Sequence, residues 1–273
     1  MNATSAISGA AEEAAPWIEK LARLGFFARA VLYVTVGALA ISVALGLGGT
    51  PQGSRGAMAT LLQAPLGRVL LAVIAIGLFG HALWRAIAAV LDCEHHGKTF
   101  KGIAKRVHDG GIALICVALG VSAIKLMFGD RSAARDGASE KKWTARVLDS
   151  DGGETVLWLV ALGLAGWGIY QLYRAWKAEL AWSAPRWIIN VSRFGIAARG
   201  VVFIVVGGLL ASAVRTHDPS EAGGLAQSLR KLLELGRIPF FIVAVGLIAY
   251  GIYELFNARF RRIDIRQSLP VAT

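Results

Sequence analysis

The chain has 273 residues, of which 55% are hydrophobic and 17% are charged, and its mean hydropathy is +0.55. Soluble domains carry about 25% charged residues, so this composition excludes an ordinary soluble protein and favours one embedded in a membrane. The net charge of +11 would suggest nucleic-acid binding in a soluble protein. Here the basic residues cluster at the ends of apolar runs, as they do in membrane proteins, and no nucleic-acid partner is predicted.

Six apolar runs are each about as long as a membrane helix requires, which is roughly 20 residues. They occupy residues 26–47, 69–91, 110–128, 155–173, 196–214 and 238–256. Each run is apolar on all faces through its middle, unlike an amphipathic helix on the surface of a soluble protein. The sequence therefore predicts an all-α integral membrane protein with six transmembrane helices.

The first helices of three tandem copies can be aligned. RLGFFARAVLYVTVGAL in the first span matches RFGIAARGVVFIVVGGL in the fifth, so that Arg29 aligns with Arg199. A weaker copy, RVHDGGIALICVALG, lies in the third span and has Ile112 in place of the arginine. The odd-numbered spans are therefore predicted to be copies of one helix.

The second helix of each copy repeats as well. VIAIGLFGHALWR, LVALGLAGWGIYQ and IVAVGLIAYGIYE align at their glycines and end at Arg85, Gln171 and Glu254. Between the two spans of each copy lies a segment with helical character that is too short and too polar to cross the membrane: RGAMATLLQ, EKKWTARVL and LAQSLRKLLEL. We expect these segments at the outer interface. The pattern predicts three parallel helical-hairpin repeats with short interfacial helices in a pseudo-threefold arrangement.

The repeat divides the chain into five segments. They are a polar N-terminal tail (1–19), hairpin repeats at 20–98, 99–185 and 186–260, and a C-terminal tail (261–273). Seventeen of the 29 lysines and arginines fall on the side of the two tails. By the positive-inside rule both termini are predicted to be cytoplasmic, and no signal peptide is recognised at the N-terminus.

These glycine–arginine and glycine–aromatic patterns, in three two-helix copies, resemble the bacterial membrane family known as domain of unknown function 1206. The similarity covers residues 20–257. The pattern RxGxxARGxxY is kept in copies one and three, although Ala30 replaces the glycine in one and Phe203 the tyrosine in the other. The resemblance implies a multi-pass protein of the bacterial inner membrane, and it brings no known activity.

Polar residues inside the spans are the first candidates for a site, because they are costly in hydrocarbon and usually face protein or water. Arg29 and Arg199 lie near the starts of helices one and five, and Arg85, Gln171 and Glu254 lie 16 residues along helices two, four and six. Both groups fall at a similar depth near the cytoplasmic face. They could form a cationic pocket for an anion or a lipid phosphate. Alternatively, the arginines extend to headgroups while Glu254 pairs locally.

Two other features contain residue types that occur in functional sites. His81, aligned with Trp167 and Tyr250, is either a packing residue with one hydrogen bond or a proton-binding or ligand-binding site, since histidine changes charge near neutral pH. The loop DCEHH at 92–96 has metal-binding residue types but no paired motif, and a solvated loop is predicted. The sequence predicts no metal site, no cofactor and no catalytic residues.

Two functions stay open at this point. The apolar middle of the spans slightly favours a non-catalytic module that binds lipid, anionic headgroups or another membrane protein. The alternative is a small channel or transporter with the cationic site on the cytoplasmic side. We predict no enzyme activity, because no nucleophile and base can be paired by their spacing; an intramembrane enzyme is the third alternative.

Overall fold

The computed structural model describes residues 3–91, 100–177 and 185–261. Helices make up the regular structure of these ranges, and no β-strand occurs in them. The α-helices are α1 (Ala3–Ala44), α2 (Ser54–Leu62), α3 (Gly67–Leu91), α4 (Phe100–Met127), α5 (Ala138–Leu148), α6 (Gly153–Lys177), α7 (Arg186–Thr216), α8 (Leu225–Leu235) and α9 (Arg237–Phe260). The predicted all-α fold is confirmed, and α2, α5 and α8 are the predicted short helices.

Six helices of the described ranges are long and apolar enough to cross a membrane, as predicted. Their apolar stretches are 19–44, 67–90, 102–127, 153–177, 186–216 and 237–260. The even-numbered spans begin within two residues of the predicted starts, whereas the predicted starts of the odd-numbered spans at 26, 110 and 196 are too late. Lysine and arginine in the first turns lower the local hydropathy, but both are good helix formers, so the helices continue through them.

All six spans run between the same two ends of the bundle. The start of the first span, in the middle of α1, lies beside the end of α9, where Arg23 donates a hydrogen bond to the carbonyl oxygen of Ala258 at 2.8 Å. We call this the terminal end. The short helices α2, α5 and α8 lie at the opposite end, which we call the capped end. Each copy is therefore a span, a short helix and a second span.

The spans pack side by side in a ring that has one break. α1 packs against α3 and α9, α7 packs against α9 and α6, and α4 packs against α3. The order around the bundle is therefore α4, α3, α1, α9, α7, α6. Within the described residues, α4 and α6 share no extended interface, although they are the two spans of one hairpin. We call this opening in the pseudo-threefold arrangement the seam.

Aligned glycines explain why two hairpins close and one does not. A Cβ atom on Gly25 would lie 2.3 Å from the Cβ of His81, and one on Gly195 would lie equally close to the backbone of α9. Glycine lets the two backbones approach to this distance. The second hairpin has His108 at this position, and its ring stacks on Trp167 of α6 with centroids 3.6 Å apart. The bulk of this stack holds α4 away from α6.

Burial along the seam differs accordingly from burial in the closed hairpins. Leu32 of α1 and Val202 of α7 are 2% and 7% exposed, whereas the aligned Ile115 of α4 is 57% exposed. A Cβ atom on Gly246 would clash with α7, but one on the aligned Gly163 of α6 would meet nothing within 4 Å. The seam is thus an apolar slit along the second hairpin.

One residue at the capped end connects the three copies. The carboxylate of Asp136, between α4 and α5, accepts hydrogen bonds from the backbone N–H groups of Gly53, Arg55 and Gly56 at 2.7, 3.1 and 3.1 Å. Its backbone carbonyl accepts one from the side chain of Gln227 in α8 at 3.2 Å. The N–H groups at the start of a helix have no partner inside it, and Asp136 satisfies two in the first turn of α2 and that of the N-cap residue Gly53.

Replacing Asp136 with alanine is expected to lower the free energy of unfolding by about 1–2 kcal/mol, as the loss of a strong helix cap does. The measurement is denaturant-induced or thermal unfolding of the purified protein in detergent. Asp130→Ala is the matched control, because within the described residues the carboxylate of Asp130 accepts hydrogen bonds from the exposed Ser132 alone. Equal losses in the two variants would contradict the connecting role of Asp136.

Candidate functional site

A cavity of about 310 Å³ lies towards the terminal end, and all six spans contribute to its wall. We call it the central pocket. Its basic residues are Arg29, Arg85, Lys105, Arg174, Arg199 and Arg261, and its acidic residues are Asp109 and Glu254. With histidine neutral, six positive side chains against two negative ones give the wall a formal net charge of +4. Aromatic side chains supply much of the remaining surface.

Arg29 of α1 and Glu254 of α9 form a buried ion pair on this wall. Nη2 of Arg29 lies 2.8 Å from Oε1 of Glu254, and the two side chains are 8% and 2% exposed. The hydroxyl of Tyr250 accepts a hydrogen bond from Arg29 at 3.2 Å and donates one to Oε1 of Glu254. A buried charge is costly without a partner, so this cluster fixes α1 against α9.

A second buried pair joins α3 to α4. Nη1 of Arg85 lies 2.7 Å from Oδ1 of Asp109, and both side chains are at most 10% exposed. Asp109 was not predicted as a site residue. It lies one residue before the predicted start of the third span at 110, whereas the span begins at Gly102 in the structure. The prediction therefore placed Asp109 outside the membrane. An acid within a span is itself the signal that would have found it.

His81 lies between the two ion pairs and is fully buried. Its Nε2 is 3.0 Å from Nη1 of Arg29 and 3.5 Å from Nε of Arg85. A guanidinium can only donate, so Nε2 accepts and the ring proton lies on Nδ1. The ring also contacts Phe26 edge to face, with centroids 4.8 Å apart. This geometry favours the packing and hydrogen-bonding alternative over a proton-binding site.

Arg199 of α7 is held differently from Arg29 and Arg85, the other two buried arginines of the pocket. It donates from Nη1 to the hydroxyl of Tyr250 at 2.8 Å, and its guanidinium lies over the rings of Phe203 and Tyr250 at 4.9 Å from each centroid. It is 9% exposed. Within the described residues it forms no ion pair, and its Nε has no hydrogen-bond partner. Arg199 therefore keeps donor capacity at the pocket wall.

The second copy contributes uncharged and aromatic groups to the pocket. Gln171, 2% exposed, accepts a hydrogen bond from Arg174 at 3.1 Å. Ile112 lines the pocket where the other copies have arginine, and the stack of His108 on Trp167 forms its wall beside the seam. All five residues of the predicted polar cluster are therefore buried on the wall of one cavity. The stack of His108 on Trp167 was not predicted from the sequence, because the two residues lie on different helices and come together only in the folded structure.

The loop at 92–96 lies outside the described residues. Among the residues that the structure does describe, no three histidine, cysteine, aspartate or glutamate side chains lie close enough to hold a metal ion. The site is thus described by its arginines, their two carboxylate partners and the aromatic groups between them.

Comparison with known proteins agrees with the repeat. The sequence profile described as Domain of Unknown Function (DUF1206) matches residues 24–92, 111–178 and 194–261. The chain belongs to the DUF1206 family. Each match to the DUF1206 profile covers one hairpin, so the resemblance and the three-copy organisation predicted from the sequence are confirmed.

A curated relative has the same extent. The chain is 30% identical over 266 residues to a Bacillus subtilis (strain 168) protein described as "Uncharacterized protein YxxB", covering 92% of this chain and 94% of that protein. No solved structure matches the chain significantly. Any function of this DUF1206 protein must therefore be argued from its own pocket.

Proposed function

We propose that this protein is a non-catalytic module of the bacterial inner membrane that binds an anionic group, such as a phosphate, in the central pocket. The observation that carries the proposal is that three buried arginines, Arg29, Arg85 and Arg199, line the pocket, against two buried carboxylates. Glu254 and Asp109 are already paired with Arg29 and Arg85. Arg199 is the third buried arginine of the wall and forms no ion pair within the described residues.

The chemistry of arginine supports this role. A guanidinium presents several N–H donors in a fixed plane and binds phosphate or carboxylate oxygens by two parallel hydrogen bonds. In a buried site these bonds are stronger than in water because the surroundings screen them less. Nε of Arg199 is such a donor without a partner among the described residues. An anion in the pocket would satisfy it and compensate the charge.

The packing of the capped half favours binding over conduction. Apolar clusters fill the bundle between the pocket and the short helices, with Leu32 and Met58 buried in one and Val36 and Leu229 in another. A channel or transporter needs a polar path through this region. The orientation that we propose places the terminal end, and with it the pocket, on the cytoplasmic side, following the positive-inside rule.

Phosphate binding tests the proposal. With purified protein in detergent and radiolabelled inorganic phosphate, Arg199→Gln is expected to weaken binding roughly ten- to hundredfold, the effect of one charge-assisted hydrogen bond. Arg230→Gln is the charge-matched control, since Arg230 is exposed on α8 at the capped end. Equal affinities of wild type and Arg199→Gln would contradict the proposal. Phosphate flux in reconstituted vesicles that is lost in Arg199→Gln would favour the transporter instead.

A further inference from the structure

The seam lies between α4 and α6, and both helices also line the central pocket. Gly163 and Gly166 of α6 and Gly111 of α4 have open space where a side chain would project, since a Cβ atom there would meet nothing within 4 Å. The aligned glycines Gly77 and Gly80 of α3 lie against the backbone of α1. The second hairpin therefore keeps the small residues of a close helix contact without making that contact.

The stack of His108 on Trp167 lies where the seam meets the pocket. Both residues line the central pocket, and both belong to the two helices that border the seam. Nε1 of Trp167 is buried and has no hydrogen-bond partner within the described residues. The pocket wall on this side therefore carries a second donor without an acceptor, in addition to Nε of Arg199.

We propose that the ligand of the central pocket is an anionic phospholipid that enters from the bilayer through the seam. Its phosphate lies beside Arg199 and Trp167, and its acyl chains extend along the slit between α4 and α6. This inference rests on the proposed function and names the ligand that the pocket takes. It differs from that function in requiring the seam.

The apolar character of the seam favours a lipid over a free anion. A soluble phosphate could reach the pocket from the terminal end and would need no opening towards hydrocarbon. The seam is apolar, and Ile115 is exposed in it by 57% where the aligned residues of the other copies are buried. Acyl chains that fill the slit restore the dispersion contacts that its apolar lining lacks while the slit is empty. The net charge of the wall selects an anionic headgroup over a zwitterionic one.

The test compares two ligands and two sets of variants. Native mass spectrometry measures how much phosphatidylglycerol and phosphatidylcholine, with the same acyl chains, the purified protein retains; phosphate binding is measured in parallel. Gly163→Leu/Gly166→Leu fills the seam from α6, and Ile115→Trp fills it from α4. Gly208→Leu is the control, because Gly208 of α7 also has open space around it but lies away from the seam.

Wild type and Gly208→Leu are expected to retain phosphatidylglycerol at least tenfold better than phosphatidylcholine. Both seam variants are expected to lose that retention at least tenfold while phosphate binding stays within twofold of wild type. Retention that is equal for both lipids, or unchanged in both seam variants, would overturn lateral lipid entry and leave the anion site standing. A dimer that the seam variants dissociate would instead assign the seam to a second copy of the chain. Absence of phosphate and lipid binding in the wild type would overturn the anion site as well.

Discussion

Replacing Glu254 with glutamine is expected to lower the free energy of unfolding by about 3–5 kcal/mol, because it leaves the buried charge of Arg29 without its carboxylate. The side chain of Glu254 is 2% exposed and lies 2.8 Å from Arg29. Glutamine keeps the shape and can still accept from Tyr250, so the loss measures the missing charge rather than a cavity. Unfolding of the purified protein in detergent gives the free energy.

Two further variants separate this effect from a general one. Glu234→Gln removes an ion pair with Lys231 in which both side chains are more than half exposed, and solvent screens such exposed pairs so that they contribute little to stability. Arg29→Met/Glu254→Met removes both buried charges and is expected to cost less than Glu254→Gln alone. A double variant less stable than the single one would show that the pair contributes packing and hydrogen bonds beyond its charge balance.

Gly246→Ala is expected to cost about 1–3 kcal/mol, the usual effect of overpacking a tight helix contact. A Cβ atom at this position of α9 would lie 2.2 Å from the Cβ of Ala198, and real contacts of this kind do not come so close. α7 and α9 would have to separate, and with them the third hairpin. Thermal unfolding in detergent, together with the elution volume in gel filtration, measures the effect.

The aligned glycine of the second hairpin supplies the control. An added Cβ atom on Gly163 would meet nothing within 4 Å, so Gly163→Ala is expected to be neutral or to stabilise α6 by up to about 1 kcal/mol through helix propensity. The two variants make the same chemical change at equivalent positions of one repeat. Similar losses at Gly163 and Gly246 would mean that α4 and α6 are in contact and that the seam is closed.

The architecture was accessible from the sequence because two independent signals agree on it. The length of each apolar run predicts a span, and the constant spacing of glycines and arginines predicts that the spans are copies of one hairpin. Both signals can be recognised in the sequence without knowledge of tertiary contacts. The starts of the odd-numbered spans were not accessible in this way, since hydropathy falls at lysine and arginine even where the helix continues.

The candidate site was accessible in part. Arg29, Arg199 and Glu254 were selected because a polar group in a span is costly, and that cost forces them towards protein. That Glu254 pairs with Arg29 and not with Arg199 depends on which helices are neighbours. The spacing of residues along the chain does not give this information. Asp109 was excluded by a boundary error of eight residues in the third span.

The seam could not be predicted from composition, but one substitution in the repeat indicates it. Two of the three aligned positions are Gly25 and Gly195, and the third is His108. Gly25 and Gly195 lie against the backbone of the facing helix, so an imidazole cannot occupy the same position without separating the spans. The weaker sequence similarity of the second copy therefore corresponds to a difference in its structure.

The spans follow one another around the ring in chain order, but the break falls between α4 and α6 and the ring closes between α1 and α9, and this affects biogenesis. α6 leaves the ribosome before α7, and within the described residues it has no extended interface with α4. It therefore has no packing partner among the spans until α7 has been inserted. Arg29 enters with the first span but pairs with Glu254 of the last. A nascent chain that stops before residue 237 thus leaves a guanidinium unpaired in hydrocarbon. We expect quality-control proteases of the membrane to degrade such incomplete chains, because the unpaired charge destabilises them.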